Sequence, residues 1–260
     1  MLQSTYMIHM RKIFLFLILV IFISFNTNIH AYATSTNNNS SSTSFYSTTT
    51  SNLTKIYKDI KLKAPAYKQQ YANSCEAATL RMALAFKGLI KNEIQILTKF
   101  GYNPTYIDLT NNIWDDPQKQ FVGYIDVTGK PFGGYGVYGI PVAKAIESFG
   151  LKAEYATSTN ITPTFLAQAV DNNNPVIVWG YSSFTAPPYT WKTKENTKVK
   201  AFRGEHVRLI VGFKGTVEKP VGFYVNDSLK GRYAEYWTSE KLMENIQKVP
   251  GVTDQAVVVK

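Results

Sequence analysis

Gln69-Gln-Tyr-Ala-Asn-Ser-Cys75-Glu-Ala-Ala-Thr-Leu-Arg-Met-Ala-Leu-Ala-Phe86 is the stretch from which the fold can be read. Asn73 or Ser74 is a good N-cap, and the residues after Cys75 are strong helix formers with apolar spacing at Ala78, Met82, Ala85 and Phe86. Cys75 is thus predicted in the first turn of a buried helix. Unpaired N–H groups and the positive end of the helix dipole favour a thiolate there. Gln69 and Gln70 lie just upstream, where a side-chain amide can complete an oxyanion hole with the backbone N–H of Cys75. Gln69 is the preferred candidate of the two.

Cys75 is the only cysteine, and of the three histidines His9 and His30 fall in an N-terminal segment with export features. That leaves His206. A lone cysteine in an exported protein forms no internal disulfide, so it is inert, paired between chains, or used chemically. One Cys with one His also argues against a zinc site, which wants several N or S ligands, and no cofactor is implied.

His206 opens the run His206-Val-Arg-Leu-Ile-Val-Gly-Phe213, which suits a strand buried on both faces. The next strand, Val221 to Asp227, would return antiparallel and bring Asn226 and Asp227 back beside His206. A carboxylate or amide there can orient the imidazole. Asp227 is preferred, with Asn226 as the alternative. Both residues also suit an ordinary turn.

Further N-terminally, Arg11 and Lys12 precede an apolar run from Ile13 to Phe25, and Ala31 and Ala33 follow. This is the layout of a secretory signal peptide over 1–33, too short for a comfortable membrane span, and Met10 is an alternative start. Residues 34–54 are rich in Ser, Thr and Asn and carry no charge. Such a tract is expected to be a flexible tether. Residues 55–260 then form one domain. The formal charge of +10 suits anionic wall polymers as partners, or simple solubility. No run of five basic residues or nucleic-acid motif occurs, which excludes that class of partner.

Elsewhere the spacing predicts helices over Pro141–Phe149, from Thr162 to about Asn172, and from Thr238 or Ser239. Short strands are expected at Lys152–Tyr155, Val176–Trp179 and Ala256–Val259. Gly133, Gly134 and Gly136 suggest a tight approach beside a cleft, since no strand and Lys make them a phosphate loop. Trp114 and the Tyr189-Thr-Trp191 segment read as loop aromatics that pack or line a groove. A cysteine helix followed by a sheet carrying His and Asp is an α+β order.

Gln69…Asn73-Ser-Cys75-Glu-Ala-Ala, Gly133–Tyr138, Pro175–Trp179, Gly204-Glu-His206 and Val225-Asn-Asp227 together resemble the C39-like peptidase family. These are bacterial papain-fold proteins related to the peptidase domains of bacteriocin exporters. The resemblance spans about residues 60–250. It implies a catalytic Cys75, a base at His206, an orienting Asp227, an oxyanion donor at Gln69 and a peptide or protein substrate. Glu76 departs from the glycine usual in the exporter peptidases and looks like the secreted, stand-alone branch. A non-catalytic wall-binding module on the same fold is the other expectation, and acyl transfer or peptidoglycan hydrolysis by the same residues a third.

Overall fold

The computed structural model describes residues 56–126, 133–183 and 186–260. The expected signal peptide and tether lie outside the described residues. Among the described residues no helix is long and apolar enough to cross a membrane.

Strand β1 (Lys58–Lys61) is followed by α1 (Cys75–Phe86) and α2 (Glu93–Lys99). Helix α1 is buried along most of its length because alanines and Leu80, Met82 and Leu84 give it little polar surface. Helix α2, which the apolar spacing did not reveal, begins at a capping box between Asn92 and Gln95. Short β2 (Val122–Gly123) and β3 (Gly134–Gly136) pair before α3 (Gly139–Ser148). Gly150 stops that helix with φ +85°, a conformation glycine adopts without strain. Strand β4 (Ala153–Thr157), α4 (Pro163–Asp171) and β5 (Val176–Tyr181) follow, with Thr162 capping α4 through a 3.1 Å bond from Phe165 N–H.

Next come β6 (Tyr189–Lys192) and β7 (Lys198–Ala201), a hairpin in place of the expected loop. Trp114 and Trp191 are buried in a small cluster with Val122, Val199 and Ala201, and Trp114 also borders a small cavity of about 130 Å³. Their indole N–H groups donate to Thr105 O and Asp115 O, which anchors both rings in that cluster. The long β8 (Glu205–Gly215) and β9 (Pro220–Asp227) form the predicted hairpin. Strand β10 (Arg232–Thr238), α5 (Ser239–Gln247) and β11 (Gln255–Val259) complete the chain.

The main sheet runs β10-β9-β8-β5-β11-β4, with β1 on the far part of β8, and all pairings are antiparallel. Residues 206 to 213 of β8 are all buried, as a strand covered on both faces requires. α1 packs along β8, and α5 lies against β5 and β9. This is the α+β arrangement the sequence predicts.

Leu80 is fully buried in the core cluster around α1. We expect Leu80→Ala to cost about 2–5 kcal/mol of stability, read as a lower urea midpoint at unchanged m-value.

Candidate active site

Pairing between β9 and β8 ends at Arg208↔Asp227. One residue further, Val207 C=O accepts from Thr79 Oγ1 of α1 at 3.2 Å, and its N–H acts on the Cys75 thiol, lowering it. Both backbone groups of one strand residue point the same way within the sheet. The start of α1 therefore meets β8 edge-on, where β9 has ended. Glu205 and His206 leave the strand on opposite sides of this contact, since successive strand residues alternate faces.

His206 and Asp227 are brought together. The imidazole Nε2 lies 2.8 Å from Asp227 Oδ1. Arg208 Nε donates to Asp227 Oδ2 at 2.9 Å, and Leu229 N–H donates to Oδ1 at 2.9 Å. Arg208 also reaches Tyr181 O and Asn245 Oδ1 of α5. Burial pushes the Asp227 carboxyl up, but His206, Arg208 and the Leu229 N–H outweigh it and hold it well below the usual range. Burial, with the charge of Arg208, pulls the His206 imidazole down against the opposing pull of Asp227. The alternative, Asn226, is engaged elsewhere: its amide donates to Ala64 O and Pro65 O and accepts from Ala234 N–H.

Cys75 sits where the sequence places it, at the head of α1, and is 8% exposed. Its thiol donates to Glu76 Oε2 at 3.4 Å. Among the described residues no hydrogen bond joins Cys75 to His206, and none reaches Nδ1 of that imidazole. Burial, then the charges of Glu76 and Glu205, push the thiol well up, while the Val207 N–H acts the other way. The thiolate-favouring helix position is overridden first by burial and then by the two nearby carboxyls. Burial raises Glu76 to about 7, and burial with Glu76 nearby raises Glu205 strongly. Glu76 Oε1 accepts from Val137 N–H at 2.8 Å. Gly136, with φ +138°, leaves room for that carboxylate, because a Cβ there would stand 2.2 Å from it.

The loop before Cys75 is tied down from two sides. Ser74 does not cap α1 with its side chain; its hydroxyl donates instead to Glu93 Oε2 at 2.6 Å, and Gln70 N–H also donates to Glu93. Gln69 N–H donates to Ser228 O, and its Oε1 accepts from the Ser228 hydroxyl. Its amide Nε2 donates to Tyr71 O and Ala72 O, both at 2.9 Å. Gln69 thus braces the loop against the end of β9 and presents no free oxyanion donor. The glycine-rich segment does make the tight approach: a Cβ at Gly134 would lie 2.0 Å from Tyr124 O and 2.5 Å from Asn73 Nδ2. A cavity of about 220 Å³ opens here, walled by Asn73, Gly134, Tyr135, Tyr189, Phe202 and Glu205 among others. A larger hollow of about 290 Å³ lies beside Asp227, Arg208 and Trp237. Cys75 is in the wall of neither.

Sequence reasoning missed Glu93, Glu205, Arg208 and Asn245. Only Glu205 carried a signal, as the neighbour of His206.

The profile of the Peptidase_C39 like family matches residues 61–249. The chain belongs to this family. Among solved structures it resembles a Bacillus anthracis protein described as a C39-like peptidase, at TM-score 0.64 and 21% identity over 78% of this chain and 98% of that one. The peptidase domain of Streptococcus ComA, a bifunctional ABC transporter involved in quorum sensing, aligns at TM-score 0.44 and 12% identity, over 75% and 98% of the two chains. No curated protein matches the chain. The likeness at 21% identity fixes the fold and leaves the chemistry to the residues.

Asp227→Ala strands Arg208, 6% exposed, without its carboxylate. The expected loss is about 3–5 kcal/mol in chemical denaturation. Because the Asp227 carboxyl is depressed in the fold, its stabilisation is present above the usual aspartate value and is lost as pH falls through the folded value. Wild type should therefore lose stability below about pH 4 more steeply than Asp227→Asn.

Proposed function

We propose that this family member is a secreted cysteine peptidase that hydrolyses amide bonds of a peptide or protein through Cys75, His206 and Asp227. The observation that carries the reading is the His206–Asp227 pair at 2.8 Å, with Nδ1 unpartnered among the described residues and the Cys75 helix meeting the same strand edge-on. The reaction requires the sulfur to turn from Glu76 toward that nitrogen. The thiol proton passes to Nδ1, Sγ attacks the carbonyl carbon, and the Cys75 N–H, which has no intrahelical partner, faces the developing oxyanion. His206 then protonates the leaving amine, and water releases the acyl group from sulfur. Asp227 keeps Nε2–H oriented throughout. Gln69 joins the oxyanion hole only if its amide leaves the carbonyls of Tyr71 and Ala72.

The burial of Cys75 and its raised thiol favour a second reading, a binding module that keeps the fold and uses no thiol chemistry. Its partners would be anionic wall polymers, matching the positive charge.

Digestion of an unbiased peptide library in excess chelator separates the two. The peptidase reading expects cleavage by wild type, none by Cys75→Ala, and a fall in kcat/KM of about 10²–10⁴ for His206→Ala. Absence of cleavage by wild type, with equal retention of wild type and Cys75→Ala on purified cell wall, would establish the binding module instead.

A further inference from the structure

Glu76 from α1 and Glu205 from β8 close around the Cys75 sulfur, and one donor atom from each of the three lies within 4.8 Å of the other two. The sulfur and Glu76 Oε2 are 3.4 Å apart. Zinc–sulfur and zinc–oxygen bonds at a tetrahedral angle hold their donor atoms roughly 3.6 Å apart, so this pair already stands at ligand spacing. A separate observation points to a missing partner. Glu205 Oε1 is buried and has no hydrogen bond among the described residues. No ion pair reaches Glu76 or Glu205 among those residues either. A buried carboxylate oxygen without a donor loses its hydration and gains nothing in return. The charge of Arg208 acts on Glu205 only from beyond ion-pair distance.

We propose that Cys75, Glu76 and Glu205 form a site for one divalent cation of borderline softness, zinc(II) fitting best, and that its occupancy blocks the nucleophile. A thiolate beside two carboxylates suits zinc over magnesium or calcium, which take oxygen alone. Three protein ligands leave a fourth position for water, and Glu205 also walls the cavity of about 220 Å³ through which both would enter. The supporting shell is present. Val137 N–H fixes the Glu76 carboxylate, and Val207 N–H points at the sulfur. Binding sends the thiol proton, together with the protons that burial leaves on the Glu76 and Glu205 carboxyls, to solvent and sets three anionic donors against the two charges of the ion. With its lone pairs directed at the metal, the sulfur is held away from His206. The histidine and cysteine count that argues against zinc takes no account of carboxylates, of which Glu76 adjoins Cys75 in the chain and Glu205 reaches it through the fold. The blocking effect rests on the proposed peptidase chemistry, whereas binding of the ion does not.

Cobalt(II), as a spectroscopic stand-in, titrated into the chelator-stripped protein should give a thiolate-to-cobalt charge-transfer band that saturates at one equivalent and is displaced by zinc. Glu205→Gln should weaken that binding by at least about tenfold. In wild type, saturating zinc should slow alkylation of Cys75 by iodoacetamide at least tenfold (roughly the same criterion), a measurement that needs no variant to fold. The site is refuted by absence of the band, by unchanged affinity in Glu205→Gln, or by alkylation indifferent to zinc. Peptide cleavage in excess chelator reports on the peptidase reading alone, and zinc-insensitive cleavage would overturn the blocking.

Discussion

The edge-on contact between Val207 and the first turn of α1 is the constraint from which the rest follows. β9 ends at Asp227, so residues 205–207 of β8 have no partner in β9, and Val207 turns both of its backbone groups to the helix. Backbone groups at a buried strand edge must find partners. Here Thr79 and Cys75 supply them, which fixes the cysteine against the strand that carries His206. A contact through the backbone sets the position of the sulfur without dictating which side chain it faces.

Two electrostatic environments flank that contact, and they differ in balance. Around His206, one carboxylate is matched by Arg208, by the imidazole and by a backbone N–H, and Asn245 secures the arginine from α5. Around Cys75, two carboxyls and a thiol have three backbone N–H groups between them, those of Val137, Val207 and Glu76 itself, and among the described residues no cation at hydrogen-bond distance. Protonation or a metal ion relieves such an imbalance, and each stores the thiol in an unreactive form. The same helix start that would favour a thiolate in isolation thus holds a neutral thiol. The local dipole loses to burial first and to the neighbouring carboxyls second.

Much of the fold was legible because it is written in local terms. The apolar spacing of α1, the Thr162–Pro163 start of α4, the long β8 and the return of β9 are all signals within about ten residues. The hairpin register even places Asp227 correctly, since antiparallel pairing is arithmetic along two adjacent strands. The β6–β7 hairpin was missed because Tyr189–Lys192 is short and its burial depends on Trp114, which lies far away in the chain. Helix α2 was missed because its stabilising feature is a cap and not a stripe. Gln69 was read as a free donor although its amide answers to carbonyls two and three residues on.

The sequence alone determined the family, the order of helices and strands, and the identity of the one cysteine and the one histidine available to the domain. Those are properties of composition and short-range pattern, which a linear reading captures. Only the tertiary structure decided that the thiol faces Glu76 and Glu205 while the imidazole is paired with Asp227. That outcome depends on which way a side chain turns at a meeting of helix and strand, and on charges whose mutual distance exists only once the chain is closed.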